Sequence, residues 1–287
     1  MSPGRRTPVD SRVSDRRDLH LEGGDATDPL SGIERPSPEL LAAGKMENCF
    51  RDASDLIERY LIGGAATMSG AAPIAIFHLV CRSLADLRSA QYMASSGFTI
   101  QMYSLVRPAL ESLKLVDLFA AEPDAADEWV AGNHWEFTPA KVRKRLGIEE
   151  DEVYSWASSH SHPRFPGLQL TTHHVKNETT GEETVEPFIG GLPLEFPSVL
   201  MATTMPGNVL CMLSSALGHV TVKTEVARAW PTVARQVGET IMPGFEEVYE
   251  VLKSHGLPEE EVEKLLESMR RSIAYAIELE EIHAADD

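Results

Sequence analysis

Tyr154, Ser155, Ser158, Ser159, His160, Ser161, His162 and Arg164 crowd one short stretch of the chain, and the basic run Lys141, Arg143, Lys144, Arg145 precedes it. An imidazole titrates near neutral pH and serves as proton donor or acceptor. Hydroxyls supply hydrogen bonds, and guanidinium and ammonium groups hold phosphate or carboxylate. These residue types together point to acid-base chemistry or anion binding.

Helical geometry sorts the stretch. A helix is predicted from about residue 149 to 161, with Tyr154, Ser158 and Ser161 on one face and Val153, Trp156, Ala157 and His160 on another. His160 and His162, two positions apart, would lie about 200° apart on a helix and cannot chelate one metal. His160 therefore reads as a core or interface residue. Pro163 disfavours the helical conformation at His162, so the helix ends there. His162 is left either as an exposed imidazole or as a terminal residue interacting with the last carbonyls.

A second set lies upstream, where Ser104, Arg107, Glu111 and Lys114 recur at spacings of three, four and three along one helix face. They read either as a solvated charged face or as a binding stripe that Pro108, by bending the helix, would splay into a cavity. Lys141, Arg143, Lys144 and Arg145 read either as a solvated run or as an anion cradle beside His162. His173 and His174 are adjacent on an expected strand and face opposite sides. No spacing demands a metal, and no cofactor is expected. A nucleophile elbow, a phosphate-binding P-loop and a dinucleotide fingerprint are all absent.

The elements that position these groups are mostly helical. Ser37-Pro38-Glu39 reads as N-cap, first helical residue and first-turn acid of a helix from about 38 to 62. Further helices are expected from about 72 to 96, from about 100 onward through Pro108, after Pro123, and after Pro139 with Thr138 as its cap. Helical pattern returns from about 196, breaks near Pro206-Gly207 and Trp230-Pro231, and runs to about 254 and then to about 283. Residues 168–190 carry Thr- and Val-containing runs around the turn-forming stretch Asn177 to Gly181, which predicts a small β-hairpin. Residues 1–36 mix Arg, Asp, Gly, Pro and Ser and read as a disordered tail. The expectation is one domain over 37–287, mainly α, a multi-helix bundle of about seven to nine helices with the hairpin inserted.

The 287 residues carry a net charge of −18, which argues against general nucleic-acid binding, because that affinity comes from lysine and arginine. Any polyanion contact would be local. Cys49, Cys81 and Cys211 are isolated and fit reduced thiols in the cytoplasm. The first thirty or so residues lack an apolar signal segment. Phe196 to Val222 contains no charged residue, but Pro197, Pro206, Gly207, Asn208 and His219 interrupt it, so a buried helix pair is expected and no membrane span.

Arg107-Pro108-Ala109-Leu110-Glu111-Ser112 in one long helix and Tyr154-x-x-Ala157-Ser158-x-x-x-His162-Pro163 in a later one resemble a group of bacterial all-helical proteins and, more distantly, the HEPN superfamily. The resemblance spans roughly residues 72 to 165. It implies a prokaryotic conflict-system setting and, for active members, metal-independent RNA cleavage. The superfamily's motif is Arg, four to six residues, then His. Here Ser155, Trp156 and Ala157 stand where the Arg would be, so only His162 carries over. Two functions follow as expectations. One is binding of a nucleotide, RNA or another phosphorylated ligand at a composite site of Arg107, Glu111, Ser158 and His162, helped by Lys141, Arg143, Lys144, Arg145 and Tyr154. The other is a noncatalytic helical interaction module whose helices around Met201, Met205 and Met212 bury a homo-oligomer or partner interface.

Overall fold

The computed structural model describes residues 36–149, 152–161, 172–176, 183–187 and 192–260, with isolated positions as far as residue 274. Its helices are α1 (Pro38–Gly63), α2 (Ala71–Ser95), α3 (Thr99–Ala121), α4 (Pro123–Val130), α5 (Pro139–Arg145), α6 (Glu152–Ser161), α7 (Pro197–Ala202), α8 (Met205–Ala216), α9 (Thr224–Ala227) and α10 (Trp230–Ser254). Short 3-10 turns occupy His134–Phe137 and Leu217–His219. The described fold is mainly α.

Local signals place several boundaries. Ser37 Oγ accepts from the Leu40 amide at 3.2 Å, satisfying one of the donors that open α1. Pro123 and Pro139 start α4 and α5, where a missing amide hydrogen costs nothing. Thr138 has the extended backbone of a cap, yet its side chain makes no capping bond. Helix α3 runs unbroken through Pro108. The break expected at Pro206-Gly207 falls earlier, at Thr203 and Thr204, whose hydroxyls donate to the Leu200 and Met201 carbonyls at 2.6 and 2.7 Å. Pro206 instead lies in the first turn of α8, the position that tolerates it.

Two long pairs organise the core: α1 lies along α10, and α2 along α3. Helix α8 packs against α2, α3 and α10. Its apolar residues Val209, Leu210 and Leu213 are fully buried, which accounts for the charge-free stretch by packing within the bundle. Pro197–His219 is long and apolar enough to cross a membrane, and 72% of its most apolar window is buried among the other helices. The α1/α10 contact is close because Gly244 carries no side chain; a Cβ there would stand 2.9 Å from Met46 Cα. At the α2–α3 turn Gly97 has φ +75°, and its carbonyl accepts from the Leu192 amide at 2.9 Å, pinning the later chain segment to this corner.

Strands β1 (Thr172–Lys176) and β2 (Glu183–Pro187) pair antiparallel, with His174 opposite Val185. The greater part of the hairpin expected over 168–190 lies outside the described residues. So do residues 1–35, on which most of the expected tail falls, and most of the stretch expected to be helical as far as 283.

Candidate functional site

Helices α3, α5 and α6 meet at one point, and the stripe on α3 supplies its base. Arg107 Nε donates to Glu111 Oε1 at 2.9 Å, one helical turn along. From α6, the Tyr154 hydroxyl donates to the same oxygen at 3.1 Å. From α5, the Arg143 guanidinium carbon stands 4.7 Å from the Tyr154 ring centroid, and that of Arg107 stands 5.9 Å from it. One aromatic ring thus lies within range of two guanidinium groups while its hydroxyl anchors on the carboxylate.

The environment tunes these groups. Burial lowers the Arg107 pKa, but hydrogen bonding and electrostatic interaction with Glu111 and Tyr154 outweigh it, and the net shift is upward. The Tyr154 phenol is raised, first by burial and then by the Glu111 charge, and remains a hydrogen-bond donor. Beside the network lies a recess of about 60 Å³, with Glu111, Lys114, Arg143 and Tyr154 as its polar wall and Phe137 and Val142 among its apolar residues. Further along α3, burial raises the Asp117 carboxyl against the opposing pull of Lys114 and His219.

The four bases of the α5 run do not converge. Lys141 pairs with Glu136 at 3.0 Å, Arg145 pairs with Glu122 and lies over the Phe137 ring, and Lys144 is exposed. Arg143 alone of the four lines the recess. Ser158 is half-buried one turn after Tyr154, and its carbonyl accepts from Ser161 Oγ at 3.2 Å. The His160 ring lies 5.1 Å from that of Tyr103, which is only 1% exposed, and its Nδ1 is 3.0 Å from Ser159 Oγ. His160 therefore packs α6 onto α3. His162 lies outside the described residues.

Sequence spacing found the α3 stripe but missed Phe137 and Val142, which are buried apolar residues without any chemical signature. Asp117, three residues beyond Lys114, extends the stripe's own period and was findable from it. Among the described residues no group of three His, Cys, Asp or Glu side chains is placed to hold a metal ion. No protein-family model matches the chain, and neither does any curated protein or solved structure.

Proposed function

We propose that this protein binds the phosphate group of an RNA, a nucleotide or another phosphorylated ligand where α3, α5 and α6 meet, in a helical bundle of HEPN-like descent. The observation that carries the reading is the gathering of Arg107, Lys114 and Arg143 around Glu111 and the Tyr154 ring, three cations against the carboxylates of Glu111 and Asp117. In a chain of net charge −18, that local excess of positive charge is where an anion would find compensation.

Size limits what enters. Sites that enclose a whole small molecule run to roughly 300–1,000 Å³, against about 60 Å³ here. A phosphate fits; the sugar and base would lie outside it. In this reading Arg143 and Lys114 bind the anion, while Arg107 holds Glu111 and Glu111 holds Tyr154 in place. His162, one residue beyond α6 in sequence, and Ser158 of α6 are kept in this reading as further candidate ligand-binding groups. RNA cleavage would need His162 as proton carrier and a cation for the phosphorane charge. The hairpin over 168–190 is taken as an insertion that follows the site in the chain.

Calorimetric titration with inorganic phosphate, AMP and a short single-stranded RNA at low salt tests the reading. All three are expected to bind wild type, with Arg143→Ala weakening each by about tenfold, the scale of one charge-assisted contact. Absence of binding, or equal binding by the variant, refutes it. Equal RNA cleavage by wild type and His162→Ala would remove the ribonuclease element alone.

A second reading, a noncatalytic helical interaction or oligomerisation module, is supported by Met201, Met205 and Met212, which pack on the core yet stay half-exposed along α7 and α8. A monomeric mass at micromolar concentration, with no partner recovered from cells, would dispose of it.

A further inference from the structure

On another face of the bundle, α1 and α2 leave between them an apolar groove of about 650 Å³, within the size range of small-molecule sites. Leu61 and Ile62 of α1 and Phe77, Cys81 and Leu84 of α2 line it. Phe77, Cys81 and Leu84 recur at spacings of four and three on α2, and Leu61 and Leu84 form the buried floor beneath the half-exposed Phe77 and Cys81. Ile62 is 70% exposed at its edge. Such a surface, open and apolar, gains from an occupant that removes it from water.

The charged lining residues, Glu58 and Arg88, decide the kind of occupant. Arg88 donates through one nitrogen to Asp55 at 2.6 Å and lies 2.9 Å from Glu58, while its Nε donates to Ser54 Oγ at 3.0 Å. Two carboxylates thus share one guanidinium, and the edge keeps an excess negative charge. An anionic head group would meet a cation already neutralised and a carboxylate left over. A cationic head group would complete the pairing.

We propose that this groove binds a small amphiphile with an apolar body and an ammonium head, the body against Leu61, Phe77 and Leu84 and the head beside Glu58 and Asp55. The site stands apart from the α3/α5/α6 junction and does not depend on its ligand. Calorimetry on the full chain with decyltrimethylammonium and with decanoate, both below their micellar concentrations, tests it. The ammonium should bind more tightly, by up to about fivefold, as one partly exposed charge contact allows. The double variant Asp55→Asn/Glu58→Gln leaves Arg88 without its carboxylates and should reverse the order, and Ala85→Phe, which fills the groove, should abolish binding of both. A measurement in the unfilled groove accompanies these: in a Cys49→Ser protein, the ammonium should slow alkylation of Cys81 at pH 9. Cys211 is buried, with its thiol pushed up to about 12 by that burial, so it does not obscure the readout. Decanoate binding as tightly as the ammonium in wild type, an unprotected Cys81, or undiminished binding by Ala85→Phe overturns the proposal.

Discussion

Replacing Glu111 with Gln separates the two jobs assigned to that carboxylate, and the separation predicts effects of opposite sign. The substitution keeps an oxygen for the Tyr154 hydroxyl but removes the charge that pairs with Arg107. Side chains of that pair are 26% and 30% exposed, so the lost ion pair is worth about 0.3–1 kcal/mol, at the modest end because solvent screens it. Folding stability should fall by that amount. Anion affinity should rise, because Glu111 is the single negative charge on the polar wall of the recess. For an anion held about 5 Å from the Glu111 carboxylate, the repulsion between two unit charges is about 0.8 kcal/mol even at the dielectric constant of water. Phosphate should therefore bind Glu111→Gln about fourfold more tightly than wild type, and more still where the recess is dry. Paired urea melts and calorimetric titrations with phosphate at low salt read both numbers. A variant that is less stable and binds phosphate equally or more weakly refutes the placement of the anion beside Glu111.

Two further outcomes test the bundle. Gly244→Ala would ordinarily gain about 1 kcal/mol of helix propensity, but the added Cβ would meet Met46 Cα at 2.9 Å; a net loss of about 1–3 kcal/mol in urea unfolding is expected from overpacking, and a stabilised variant would contradict the close α1/α10 contact. Glu39, with 10% of its side chain exposed, lies 2.7 Å from His255 Nε2 and joins the start of α1 to the end of α10. Its pKa is lowered, first by a backbone hydrogen bond and then, against burial, by His255 and Ser37. A carboxyl depressed in the folded state adds stability that is present above its unfolded value near 4.5 and is lost as pH falls through the folded value. Thermal melts from pH 6 to 3 should thus show a steeper acid loss for wild type than for Glu39→Gln; parallel curves would remove the contact.

Much of the helix framework is legible because its signals are local. Ser37, Pro38 and Glu39 satisfy the start of α1 within one turn, and Pro123 and Pro139 open helices for the same reason. The stripe from Arg107 to Lys114 is equally local, since three- and four-residue spacings place side chains on one face regardless of what packs nearby. The partners of the α5 bases are another matter. Arg145 finds Glu122 from the turn before α4, and Arg143 finds a ring on α6, and neither choice leaves a mark in the spacing of α5 itself. The break at Thr203 and Thr204 was hidden by a louder signal, Pro206, which a helix accommodates in its first turn. A composite site resists reading for the same reason as α1 and α10: the sequence names the groups, and tertiary packing chooses the companions.

That last pairing sets an order of assembly. Helix α1 buries Met46, Phe50 and Ile57, and its main neighbour is α10, some 170 residues later in the chain. On a ribosome adding about 5–20 residues per second, α1 waits about 10–30 s for α10. Helices α2 and α3, joined by the short turn at Gly97, have no such wait. The newborn chain therefore carries a finished hairpin beside an α1 whose α10-facing side is still open to water, and that interval is when a chaperone, or a neighbouring chain, has access to it.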